Sequence, residues 1–252
     1  MAERGIIGIL TQLWDKSFAR VDWELLFSQS GHLYSGLKVT LYISLIAGVI
    51  GVALGLGLAC LRLSKRWWIW FPAAAYIDAF RCTPLYVQIF FGYHAVPELL
   101  GDIQDILGLF PEHSLTQVSA LYAGIAVLGL NSGAYLAEVF RGGILSIDKG
   151  QREAAISLGM REYQAMGYIV IPQGITNSLP SVGNEFITLI KDSSLLSGIS
   201  VFELMYYANT IGSREFDFFT MFFGILLIYF CICFPTARLM SRLEKKMRTG
   251  QK

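Results

Sequence analysis

Amide, hydroxyl and ionisable side chains recur at helical spacing inside stretches that are otherwise apolar, and their shared chemistry is that of holding a polar solute. Asn131, Tyr135 and Glu138 fall at i, i+4 and i+7, which puts an amide, a phenol and a carboxylate on one face of a helix. Asn184, Thr188 and Lys191 share a face by the same spacing, and Glu185, Thr188 and Asp192 share an overlapping one. Arg81 and Gln88 are seven apart and aligned, Asp78 lies one turn before Arg81 where an ion pair can form, and Pro84 removes a backbone bond between them. A charge at bilayer mid-depth costs at least ~2.5 kcal/mol, so such groups face a cavity or one another. Any single one of them is explained equally well as a partner between packed helices or as a headgroup contact. Aligned polar faces in three segments converge more naturally on a passage for a polar solute.

Other chemistries find no support. His32, His94 and His113 fall at or outside the external boundary of the apolar segments, so no catalytic constellation and no metal site is expected. Cys60, Cys82, Cys231 and Cys233 lack the spacing of a zinc site or a redox pair and read as small packing residues. There is no G-x-x-x-x-G-K-[ST] phosphate loop, and a net charge of +1 gives no reason to expect nucleic acid.

The elements that position these residues are read from the apolar blocks. The sequence is 54% hydrophobic and 15% charged, against roughly a quarter charged in a soluble domain. Its apolar residues form blocks of about 20, the length that crosses a hydrocarbon core of roughly 30 Å. The blocks predict an all-α integral membrane fold with five spans, Leu37 to Leu61, Phe71 to Val96, Leu115 to Phe140, Pro180 to Met205 and Phe218 to Leu239. Arg62, Lys65 and Arg66, beside Trp67, Trp68 and Trp70, follow the first span, and Arg238, Arg242, Lys245, Lys246 and Arg248 follow the fifth. The positive-inside rule makes that side cytoplasmic. The acidic loops, with Glu98, Asp102, Asp105 and Glu112 in one and Glu203, Glu215 and Asp217 in the other, then lie outside.

The N-terminus is therefore expected outside. Glu3 and the short run Gly5 to Leu10 do not make a cleavable signal, and Trp14, Phe18, Trp23 and Leu25 have the make-up of an interfacial amphipathic helix. The expected organisation is an external segment 1–36, a permease domain 37–242 with one cytoplasmic loop 141–179, and a basic tail 243–252. Gly51 and Gly55, with Gly48 and Gly57 nearby, allow close helix approach, a subunit interface being one place for it.

Within the inner loop, Gln151 to Met160 reads as a short helix stopped by Gly159, with Ala154, Ala155 and Leu158 as a compact knob for a groove on a soluble partner. Here the sequence closely resembles the permease subunits of ABC importers, whose EAA loop has E-A-A, a glycine after three more residues, then nine residues and I-x-L-P. Glu153, Ala154, Ala155, Gly159, Ile169 and Pro172 stand in register, with Ile171 in place of the leucine. Arg81 to Leu85 (R-C-T-P-L), Asn131 to Glu138 (N-S-G-A-Y-L-A-E) with Arg141 to Ile144, and Pro180 to Ile187 followed by Lys191 to Leu195 (K-D-S-S-L) are similar to the polar amino-acid branch, the histidine, glutamine and arginine type. Cys82 replaces the usual glycine and Ser193 the usual threonine.

The resemblance implies a type I permease of the bacterial inner membrane, without enzymatic activity of its own. It implies ATPase-coupling roles for Glu153, Ala154, Ala155, Leu158, Gly159 and Pro172. The implied partners are ABC ATPase subunits that bind ATP and Mg, a second permease subunit of the same or a related chain, and an external solute-binding protein that delivers an amino acid. The chain itself is expected to carry no cofactor. Arg81, Gln88, Asn131, Tyr135, Glu138, Asn184, Glu185, Thr188, Lys191 and Asp192 are the candidate path residues. A proton-coupled secondary transporter using Glu138 and Asp192 is the competing reading, disfavoured by five spans, no inverted repeat and the docking loop.

Overall fold

The computed structural model describes residues 20–107 and 118–249, and every described element is helical. A short helix α1 (Trp23–Ser28) leads into α2 (Ser30–Arg62). Helix α3 (Trp67–Arg81) is followed after a break at Pro84 by α4 (Leu85–Phe90), a π turn (Phe91–Ala95) and α5 (Val96–Leu107). Then come α6 (Ala120–Leu145), α7 (Lys149–Ser157) and α8 (Glu162–Ala165), which runs through a second π turn (Met166–Val170) into α9 (Ile171–Asp192). A 3-10 segment (Ser193–Ile199), α10 (Leu204–Glu215) and α11 (Phe218–Thr249) complete the chain.

Three of these helices are long and apolar enough to cross a membrane, Ser30–Arg62, Ala120–Leu145 and Phe218–Arg242. At 33 residues α2 is roughly 50 Å long and overshoots the hydrocarbon core at its ends. It begins at Ser30 rather than Leu37, because Gly31, His32 and Ser35 continue the helix beyond the apolar block. The expected fourth span shifts further. Helix α9 starts at Ile171 and stops at Asp192, so its first turns lie in what reads as a polar loop. The polar residues at 173, 176 and 177 fall on exposed or half-exposed positions, while Gly174 and Ser178 face inward against α6. The predicted N-terminal interfacial helix falls largely outside the described residues. Its described part is α1, capped by the Asp22 carboxylate, which accepts from the Leu25 N–H at 2.9 Å.

Without a hydrophobic force between helices in lipid, close packing must hold the bundle together. The most extensive contact is between α2 and α6, and glycines make it. A Cβ at Gly51 would stand 2.8 Å from Ser132 Oγ, and one at Gly55 would stand 2.7 Å from Leu136 Cβ. The G-x-x-x-G stripe thus packs within the chain rather than at a subunit interface. Around it Ile43, Ala47, Ile89, Leu128, Leu189 and Leu196 form a core joining α2, α4, α6, α9 and the 3-10 segment. Leu33, Leu204, Ala208, Ile211 and Met221 form a second one joining α2, α10 and α11. Cys60, Cys82 and Cys231 lie on the chain's surface and Cys233 is half-buried, so the cysteines are free and mostly not packing residues.

The second core carries a buried acid. Glu203, expected in a solvated external loop, is 0% exposed. It caps α10, its Oε1 accepting from the Tyr206 N–H at 2.7 Å. Its Oε2 lies 3.5 Å from the Thr40 hydroxyl of α2 and 3.4 Å from the Tyr229 hydroxyl of α11. The Leu204 N–H in turn donates to Thr40 Oγ1 at 3.3 Å. A cap residue spends its charge on the backbone, which lets hydrophobic neighbours close over it.

Two stability outcomes follow. Gly55→Val forces α2 away from α6 and costs about 1–3 kcal/mol, whereas Gly57→Val, with open space around its position, leaves thermal unfolding in detergent unchanged. Glu203→Ala removes the α10 cap and the shared acceptor and costs about 2 kcal/mol or more, and Glu203→Gln, which keeps an acceptor oxygen, costs less in the same measurement.

Candidate functional site

In the connection between α6 and α9, the short helix expected from Gln151 to Gly159 is observed as α7, and its ends are well defined. Asp148 caps α7, its Oδ1 accepting from the Gly150 N–H at 2.7 Å. At the other end the Gly159 N–H donates to Ile156 O at 2.9 Å and the Met160 N–H to Ala155 O at 3.2 Å. That pair of bonds is a Schellman ending, and it requires Gly159 in the left-handed region, at φ +89°. Glu153 and Ala154 are exposed, and Leu158 is 86% exposed. Ala155 is buried instead, turned toward the chain's own core, so it is no part of an outward knob. Tyr163, 65% exposed, lies on α8 and Tyr168, 72% exposed, on the second π turn. Pro172 sits in the first turn of α9, directly after the π turn from which that helix continues.

One acid braces this region to the rest. Glu162 Oε1 accepts from Lys65 Nζ at 3.3 Å and from the Arg152 guanidinium at 2.6 Å, tying together the turn after α2, α7 and α8. The Lys65 hydrogen bond, followed by the charges of Lys65 and Arg152, holds the Glu162 carboxyl below the usual carboxylate range. The folded value is depressed, so the brace persists at every pH where a free carboxylate is ionised and is lost only as pH falls through that lower value.

A cavity of about 240 Å³ opens between the α3–α4 break, α6 and α9, lined by Thr83, Leu85, Asn131, Tyr135, Glu185, Thr188 and Asp192. The break creates it. Pro84 has no N–H for the carbonyl of Phe80, and two side-chain amides take over. Gln88 Nε2 donates to Phe80 O at 2.7 Å and to Thr83 Oγ1 at 2.7 Å. Asn131 Nδ2 donates to Gln88 Oε1 at 2.9 Å and lies 3.4 Å from Phe80 O. Gln88 is therefore a brace for the break, while Asn131 both braces it and lines the cavity. The Arg81 guanidinium stacks over the Tyr135 ring, 5.5 Å from its centroid, and forms no ion pair with Asp78.

Other polar residues on the expected faces part company from the cavity. Glu138 pairs with Arg141 one turn on, at 2.6 Å to Nη2 and 2.9 Å to Nε, so it is occupied within α6. Asn184 is exposed, and its carbonyl accepts from the Thr188 hydroxyl at 3.2 Å. Lys191 opens onto a different cavity, with Ser194, Met205 and Tyr229. A larger cleft of about 500 Å³ along α2, α9 and α11 is apolar apart from Glu185, so it offers a polar solute little else. Glu203 is the buried acid that spacing rules overlook; the cue in the sequence is an acid three residues before Tyr206 at the start of a helical pattern.

Residues 51–249 match the family of binding-protein-dependent transport system inner membrane components. The chain is 37% identical over 232 residues to a probable amino-acid ABC transporter permease protein, YckA, of Bacillus subtilis (strain 168), covering 90% of this chain and 96% of that one. It is 34% identical over 225 residues to the glutamate/aspartate import permease protein GltK of Escherichia coli O157:H7, covering 89% and 97%. A crystal structure of an amino acid ABC transporter with histidines superposes with a TM-score of 0.78 at 36% identity, covering 90% of this chain and 99% of that one. With the family match running from the last third of α2 through α11, the chain belongs to the inner membrane components of binding-protein-dependent transport systems, the permease subunits of ABC transporters.

Proposed function

We propose that the chain, paired with a second permease subunit, forms the path by which a polar amino acid crosses the bacterial inner membrane, delivered by an external binding protein and driven by separate ATPase subunits. Relatives named for amino-acid transport, aligned over nearly their whole length, support that cargo and set aside a proton-coupled secondary transporter. The path crosses the membrane five times, through α2, the broken α3–α5, α6, α9 and α11, with the N-terminus outside. Arg62, Lys65 and Arg66 at one cytoplasmic boundary and Arg238 and Arg242 at the other support that orientation, as does the Trp67–Trp68 belt.

The observation that carries the coupling role is the α7 knob: an exposed Glu153, Ala154 and Leu158 on a helix held at one end by Asp148 and at the other by Gly159. Such a knob needs a groove, and an ATPase subunit that binds ATP and Mg supplies one. When the ATPases close, α7 is displaced, and the Glu162 brace shares that motion with the turn after α2 and with α8. Thr83, Asn131, Tyr135, Glu185, Thr188 and Asp192 then form the solute's resting place, with Arg81 flanking it, while Glu138, Asn184 and Lys191 serve packing or other surfaces.

Reconstituted uptake tests this. Gly159→Trp meets open space within the chain, so its effect is carried by backbone strain and by the partner's groove; ATP-dependent uptake falls by at least about tenfold, a change of ~1.4 kcal/mol. Glu153→Arg behaves likewise. Wild-type uptake in both variants, with the ATPase still bound, removes the coupling role. Glu162→Gln keeps the ATPase bound and lowers uptake a few-fold, because the brace transmits motion and does not form the knob.

A further inference from the structure

The turn from α2 into α3 gathers positive charge that the chain itself only partly answers. Residues 62–77 carry Arg62, Lys65 and Arg66 and no acid. Among the described residues neither Arg62 nor Arg66 forms a salt bridge, and Lys65 reaches one carboxylate, that of Glu162, which Arg152 also holds. The Arg62 charge acts on Glu138 as well, but so does that of Arg81, and Glu138 is already bound by Arg141. Both acids that reach this corner are therefore occupied by other cations.

The two arginines are held on indole faces. The Arg62 guanidinium lies over the Trp70 ring, 5.4 Å from its centroid, and that of Arg66 over the Trp68 ring at 6.0 Å. Stacking fixes the plane of a guanidinium and leaves its N–H edge free, a fork that matches the oxygens of a phosphate. Arg62 is half-buried, with its buried Nε lacking a hydrogen-bond partner among the described residues, while Lys65 and Arg66 are exposed. From the same turn an apolar stripe runs along the outer face of α3. Trp67, Trp68 and Phe71 are more than half exposed, and Pro72 and Ala75 continue the stripe, while Ala73, Ala74 and Ile77 pack inward. A free anion would use the cations and leave the stripe bare. An amphiphile with an anionic head covers both.

We propose that the α2–α3 turn docks an anionic phospholipid of the inner leaflet, its phosphate on Arg66 with Lys65 and Arg62 beside it, and its acyl chains along Trp67, Trp68 and Phe71. This rests on the permease reading, which puts the turn at the cytoplasmic boundary. Because Lys65 also holds Glu162, the headgroup lies against the brace of α7.

The assembled importer, purified in detergent through its ATPase subunit, is titrated with dioleoylphosphatidylglycerol and with dioleoylphosphatidylcholine, which share their acyl chains and differ in headgroup charge. Native mass spectrometry counts the lipid retained. The wild type is expected to retain the anionic lipid at least about fivefold better, the contribution of one basic residue at a membrane surface, and inorganic phosphate not to displace it. Lys65→Gln combined with Arg66→Gln is expected to bring the ratio near one, and Arg66→Lys, which keeps the charge and loses the fork, to retain part of it. Arg238→Gln combined with Arg242→Gln, at the other basic end of the chain, is expected to leave the ratio unchanged. Equal retention of the two lipids by the wild type, an equal loss in the Arg238 and Arg242 variant, or displacement by inorganic phosphate overturns the site. So does loss of the second permease subunit from the Lys65 and Arg66 variant, which would make the turn a subunit contact. Uptake of an amino acid by the wild-type importer, supplied with binding protein and ATP, reads the permease role separately. Uptake without a lipid preference leaves that role standing and removes the lipid site; a preference lost in the Lys65 and Arg66 variant, without any uptake, does the reverse.

Discussion

Pro84 cannot donate to the carbonyl of Phe80, and inside a bilayer a carbonyl without a donor is not tolerated. Gln88, one turn beyond the proline, and Asn131, on a different helix, supply the missing N–H groups. This repair does more than satisfy one oxygen. It clamps the broken segment to α6, so Thr83 and Leu85 come to face Asn131 and Tyr135 across a gap, and Arg81 is left at the end of α3 to lie over Tyr135. A continuous helix there would fill the space. The cavity is what remains when a helix is interrupted and its loose end is tied to a neighbour.

The α7–α8 region is built on a different principle. In water, a single surface ion pair contributes little, and Glu162 is exposed; its importance lies in joining three segments through one carboxylate. Asp148 and Gly159 fix where α7 begins and ends, so the exposed Leu158 is presented at a set angle. Here stiffness comes from caps and hydrogen bonds, whereas in the membrane it comes from glycines that let α2 and α6 meet backbone to backbone.

Much of this was legible from the sequence because the relevant signals are local. Apolar length announces α2, α6 and α11, the run from Glu153 to Gly159 announces a short capped helix, and the spacing of Asn131 with Tyr135 and of Glu185, Thr188 with Asp192 announces polar faces that do meet at one cavity. What spacing cannot convey is where a long side chain turns. Glu138 shares a stripe with Tyr135 yet folds back onto Arg141, Lys191 sits beside Asp192 yet opens onto another space, and Arg81 passes over Asp78 for an aromatic face. Ala155 belongs to the docking motif by sequence but to the core by its position on α7. Glu203 was hidden for the opposite reason: an acid near a loop looks solvated until Thr40 and Tyr229, 163 and 26 residues away, close over it. The start of α9 was obscured because its inner turns carry polar groups on exposed positions and only small residues toward α6.

The π turn at Met166–Val170 stands between the docking region and α9. A π turn holds one more residue than the α turn around it, and it can tighten or migrate along a helix without breaking it. Because α8, the π turn and α9 form one continuous helical run, that one extra residue sets the angle at which Glu185, Thr188 and Asp192 face the cavity.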